Sequence, residues 1–142
     1  MKLFPLLSSF AFATVLVVGT AVHLNAEETL VVHGASPVAG LSSDLMKDYF
    51  LGKKTTWDDG SKVVVVVIKK GPTSDALLAK LGKNSQQFNT GWKKLVFTGK
   101  GSMPELVDSD EALIALVADT PGAIGLVDKA QVKDGVKAIT LQ

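Results

Sequence analysis

The stretch VVVVVIKKGPTSDALL, Val63 to Leu78, passes from six consecutive β-branched residues through two lysines and a Gly-Pro pair into a helical pattern. Branching at Cβ favours extended backbone. The run does not alternate with polar residues, so the strand it predicts is covered on both faces, as a central strand flanked by helices is. Gly71-Pro72 turns the chain, and Thr73 or Ser74 is placed to cap a helix that runs to Leu81 and stops at Gly82.

A strand that ends in a tight turn and delivers a helix N-terminus leaves backbone N–H groups unpaired and focuses partial positive charge on one spot. Such a spot lies beyond the carboxyl end of a strand, where ligands sit in open α/β sheets. Thr73 and Ser74 add hydroxyl donors. Lys69 and Lys70 fall on opposite faces by alternation, so at most one of them reaches the spot. Gly71, Thr73, Ser74 and Lys70 form the candidate ligand-binding set. A second reading of the hydroxyls stays open: Thr73 or Ser74 caps its own helix, and Asp75 in the first turn supplies negative charge to the helix dipole.

Working outward, TLVVHG (Thr29–Gly34) predicts a short strand, followed by a loop through ASPVAGL. Ser42 or Ser43 caps a helix with Leu45, Met46, Tyr49 and Phe50 on one face, closing at Gly52. Asp59-Gly60 marks a turn. Beyond Gly82, a helix from near Ser85 carries Phe88, Trp92, Leu95 and Val96 towards the core. TGKGSMPELV (Thr98–Val107) reads as irregular. Asp108 and Glu111 have the spacing of a capping box for a helix through Ala118, which Pro121-Gly122 ends. Ala123–Val127 and Val136–Leu141 predict the last strands. Strands alternating with helices give an α/β domain with a mostly parallel or mixed sheet.

Residues 1–26 stand apart from this pattern. Met1-Lys2, an apolar run from Phe10 to Val18 and Ala26 before two glutamates read as a secretory signal peptide, with Ala21 as an alternative cleavage point. An uncleaved membrane anchor is the rival reading. Residues 27–142 then form one domain in the periplasm or outside the cell. At 116 residues it buries roughly two-thirds of its unfolded surface, enough for a core without disulfides.

Charge and residue usage exclude several functions. All 15 basic residues are lysine, and arginine is the side chain that forks onto phosphates and guanine edges, so nucleic acid is not an expected partner. His33 alone, without cysteine, supports neither a metal site nor a catalytic triad. Asp58-Asp59 and the Asp108-Ser109-Asp110-Glu111 run have ordinary roles in a turn and at a helix start. No nucleophile, base and orienting group stand together, so no enzyme and no cofactor are expected. Trp92 belongs to the core; Trp57, in a turn, is open either to packing or to a ligand or partner.

DYFLGKKTTWDDGSKV, WKKLVFTGKG and VADTPGAIGLV, taken in order, resemble the periplasmic phosphate-binding proteins of ABC transporters (PstS-like) and short secreted proteins related to them. The aromatic-Leu-Gly-Lys helix end before Trp-Asp fits Phe50 to Asp58, and the Thr-Pro-Gly-Ala-Ile-Gly run fits Thr120 to Gly125. The resemblance implies one lobe of a type II periplasmic binding protein, a mixed sheet flanked by helices. It also implies recognition of a small oxyanion such as phosphate, in partnership with a membrane permease or sensor, or with a second lobe. The family's Gly-Ser-Gly-Thr-Thr loop corresponds to Gly71–Asp75, where the leading glycine and the hydroxyl pair remain and Asp75 departs. The alternative is a protein-interaction or sensory module that keeps the fold without the ligand.

Overall fold

A computed structural model describes residues 27–142; the expected export segment lies outside the described residues. The chain runs β1 (Glu28–His33), β2 (Gly40–Leu41), α1 (Ser43–Phe50), β3 (Val64–Ile68), α2 (Pro72–Leu81), α3 (Ser85–Phe97), β4 (Glu105–Val107), α4 (Asp110–Asp119), β5 (Ala123–Asp128), a 3-10 turn (Lys129–Gln131) and β6 (Val136–Leu141). The six strands form one sheet in the order β2-β6-β1-β5-β3-β4. It is mixed: β3 lies parallel to β4 and β5, β2 parallel to β6, and β1 antiparallel to β5 and β6.

The valine run behaves as its composition requires. Val65 and Val67 join Leu30, Val32, Ile124 and Leu126 on the face covered by α1, α2 and α3. Val66 and Ile68 join Val31, Ala123 and Val127 on the other face, against Leu113, Ile114 and Val117 of α4. β3 is thus buried on both sides, although it is second from an edge rather than central. Burying each such side chain contributes on the order of 1.5–3 kcal/mol, so these two layers supply most of the fold's stability.

Caps show where local chemistry decides. Ser42 Oγ accepts from the Leu45 N–H at 3.1 Å and starts α1. The capping box expected at Asp108–Glu111 is found instead at Asn84–Gln87, where each side chain takes the other residue's N–H and opens α3. Ser109 caps α4, accepting from Ala112 N at 3.1 Å, because it stands one residue before the first helical position and Asp108 does not. Gly82, at φ 66°, ends α2 in the left-handed conformation open to glycine.

Two further expectations are corrected, and one open reading is decided. Gly40–Leu41 pairs with β6, and Glu105–Val107 with β3, within segments read as loops; strands of two and three residues are too short to show a period. Val96 is 40 % exposed although it continues the i, i+4 line of the buried Phe88 and Trp92, since it lies in the last turn of α3 beside the exposed Phe97. Trp57 is only 8 % exposed: its ring packs 4.7 Å from that of Tyr49, and its Nε1 donates to the Gly122 carbonyl at 3.0 Å. The turn folds back onto the end of α1, which removes Trp57 from the open surface.

Candidate functional site

The carboxyl ends of the parallel strands β3, β4 and β5 lie on one side of the sheet, and α2 and α4 both begin there. β3 leads into Lys69-Lys70, and the Lys69 N–H is still bound to Val107 O of β4 at 2.9 Å. Gly71 then takes φ 114° and ψ −177°, a backbone state open to glycine alone, and Pro72 sets φ for the first helical residue. Gly71 is therefore the cap, and it has no side chain with which to cap. Thr73 and Ser74 lie inside the first turn, which settles that neither hydroxyl caps α2.

The first intrahelical bond runs from Asp75 N to Gly71 O, at 3.0 Å. The N–H groups of Thr73 and Ser74 find no acceptor among the described residues, as expected at an uncapped helix start. The two hydroxyls have separate fates. Thr73 Oγ1 donates to Asp110 Oδ1 at 3.1 Å, and the same oxygen accepts the Asp128 N–H at 2.9 Å. Asp110 thus ties α2, α4 and the end of β5 together. Ser74, 8 % exposed, makes no side-chain hydrogen bond among the described residues. It lines a small crevice of about 160 Å³ with Leu77, Phe88 and Leu106.

Charge at this end is mixed. Lys69 Nζ pairs with Asp108 at 3.3 Å, whereas Lys70 is exposed and makes no ion pair among the described residues. Asp75 is exposed on α2, and Asp110 presents its carboxylate from α4. An anion at the turn would meet unpaired N–H groups, the Ser74 hydroxyl and Lys70, opposed by two carboxylates. That arrangement suits a small oxyanion held by hydrogen bonds more than by net charge.

Asp110 was not legible as an organiser of this corner. Acids at a helix start are ordinary, and nothing in the spacing places Asp110 opposite Thr73. The other acidic pair serves its turn: Asp58 pairs with Lys54 at 3.2 Å, and the Ser61 hydroxyl and N–H hold the Asp59 carboxyl below its ordinary range. An Asp59 carboxyl held low in this way is not a proton donor poised near neutrality. His33 Nδ1 accepts from Ala35 N at 3.1 Å, a local turn contact. Among the described residues no group of three or more His, Asp and Glu side chains is placed to hold a metal.

The architecture has known counterparts. A phosphate ABC transporter substrate-binding protein from Clostridium perfringens, solved with bound phosphate, superposes with a TM-score of 0.65 at 24% identity over 80% of this chain and 44% of that one. An ABC-type phosphate transport receptor from Vibrio cholerae gives 0.64 at 20% identity, over 80% and 45%. PstS from Borrelia burgdorferi gives 0.58 at 14%, over 81% and 47%. The chain therefore has the α/β fold of a single lobe of such proteins, and spans less than half their length. These neighbours are described as binding and transport proteins, none as an enzyme. No protein-family model and no curated protein matches the sequence.

Proposed function

We propose that this chain is an exported, non-enzymatic solute-binding lobe that recognises a small oxyanion such as phosphate at the start of α2. It serves ABC-type uptake or sensing with a membrane permease or sensor. The observation that carries this reading is the uncapped start of α2, where two unpaired N–H groups and the unpartnered, solvent-accessible Ser74 hydroxyl stand together at the carboxyl end of β3. The fold neighbours, one of them holding phosphate, support the ligand class. A single lobe is half a clamp, so tight binding calls for donors from a second lobe, supplied by a partner or a second copy.

Calorimetric titration of the purified chain with phosphate and with sulfate tests this. A hydrogen bond from a hydroxyl to a charged acceptor contributes roughly 1.5–3 kcal/mol, so Ser74→Ala is expected to weaken binding at least tenfold. Asp75→Asn, which removes a nearby negative charge, is expected to strengthen it. A parent and an Asp75→Asn variant that both show no heat and no thermal stabilisation in tens of millimolar anion would sink the reading. That outcome favours the second one, an interaction or sensory module without ligand, to which the commitment of the Thr73 hydroxyl to Asp110 already lends weight.

Export is part of the proposal. It is supported by the apolar N-terminal segment, and no helix among the described residues is long and apolar enough to cross a membrane. N-terminal sequencing of secreted protein is expected to begin at Glu27. A product that retains Met1 and needs detergent for extraction would instead identify an anchor.

A further inference from the structure

A second concavity lies at the other end of β3. It is a cleft of about 390 Å³ between the turn that holds Trp57 and the Gly99–Met103 loop after α3, within the size range of small-molecule sites. Its lining reaches Val63 to Val65, at the amino end of the strand whose carboxyl end leads to Gly71. The strand between them, Val64 to Ile68, is roughly 13 Å long.

The cleft is built in two layers. The floor is apolar, from Val63, Val65 and Trp92, with Met103 at the side. The mouth carries three lysines, Lys54, Lys62 and Lys100. Lys54 is held by Asp58, but Lys62 reaches across to the Ser102 hydroxyl at 3.4 Å, and Lys100 makes no ion pair among the described residues. Glu105 is the one acid in the lining, so positive charge prevails.

Backbone donors add to this. The last turn of α3 is closed by its own loop: Thr98 N, Gly99 N and Lys100 N bind the carbonyls of Lys94, Val96 and Leu95. The N–H groups of Gly101, Ser102 and Met103, which follow, have no acceptor among the described residues. Gly101, the first of these donors, lies against the Trp92 ring, where an added Cβ would sit 3.6 Å from it. Successive unpaired N–H groups beside cations suit an anionic head, and the Trp92–Val65 floor suits an apolar body.

We propose that this cleft is a second ligand site, for a small organic anion in which a carboxylate or phosphate head is joined to an aromatic or branched apolar group. The head sits between Lys62, Lys100 and the Gly101–Met103 N–H groups, and the body lies on the apolar floor against the half-exposed Met103. An inorganic oxyanion leaves the apolar floor wet and binds poorly here, which separates this site from the start of α2.

Phenyl phosphate, benzoate and inorganic phosphate are the probes, followed by amide NMR on the purified chain. Phenyl phosphate, benzoate or both are expected to shift the Gly99, Gly101 and Ser102 amides saturably, with inorganic phosphate leaving them in place; whichever binds identifies the head group. Lys62→Ala with Lys100→Ala is expected to weaken that binding at least tenfold while the rest of the spectrum stays that of the folded protein. Ser74→Ala is expected to leave it unchanged. The proposal is overturned if neither aromatic probe shifts these amides saturably by tens of millimolar, if the lysine double variant binds as the parent does, or if the shifts centre on Gly71 to Ser74.

Discussion

Trp92→Ala is expected to lower the melting temperature by about 10 °C or more and to leave little folded protein in moderate denaturant. Trp92 is 4 % exposed and packs on Phe88, with ring centroids 6.5 Å apart, and its Nε1 donates to the Phe50 carbonyl at 2.9 Å. Truncating a buried tryptophan costs roughly 3–5 kcal/mol, and the lost donor leaves the Phe50 carbonyl short of a partner. In a domain of this size each 1 kcal/mol moves the midpoint by roughly 3–6 °C. Trp92→Phe keeps much of the volume and loses the hydrogen bond, so it is expected to cost about 1–2 kcal/mol. The same ring lies against Gly52, where an added Cβ would stand 3.0 Å from it and closer still to Leu95, so α3 closes onto the end of α1 through these two side chains. A Trp92→Ala protein that melts as the parent does would put the ring outside the core.

What was legible in the chain follows from how far each signal reaches. The valine run declares two buried faces because polar residues are missing from both, a property of six adjacent positions. Trp92 with Phe88 shows in the same way, from helical spacing. The start of α2 lies two or three residues before the expected caps because serine and threonine are good caps in isolation, and Pro72 overrides them by favouring the first helical position for itself. Asp110 lay beyond reach: its bonds to Thr73 and Asp128 span 37 and 18 residues, and only tertiary packing brings them together. Trp57 stayed open between packing and a ligand for the same reason, since its partner Gly122 is 65 residues away. The candidate site was therefore located by its strand-to-helix turn, while the division of labour between its two hydroxyls was not.

Gly122→Ala is the other substitution with a large expected effect, and it assigns a role to the Thr120–Gly125 run. Gly122 has φ 84°, and a Cβ added there would stand 2.4 Å from the Lys62 carbonyl oxygen, a backbone atom that cannot swing aside. Its own carbonyl accepts from Trp57 Nε1 and from Val64 N, both at 3.0 Å, so this glycine joins the start of β5 to the start of β3 and to the Trp57 turn. Gly60 makes the comparison clean. It has nearly the same φ, 85°, and an added Cβ would meet nothing within 4 Å. Alanine at Gly60 should cost only the left-handed backbone penalty, roughly 1–2 kcal/mol. Alanine at Gly122 bears that penalty together with a backbone displacement of a further 1–3 kcal/mol, and it loosens the two hydrogen bonds at its carbonyl. Chemical denaturation of the two variants should therefore separate them by at least about 2 kcal/mol. Equal losses would mean that the approach to Lys62 relaxes freely and that the motif does not hold the strands together. Anion titration of Gly122→Ala under conditions where it is fully folded carries the point to function. Affinity at the start of α2 should match the parent's, because Gly122 pairs with the amino end of β3 and the candidate site lies beyond its carboxyl end.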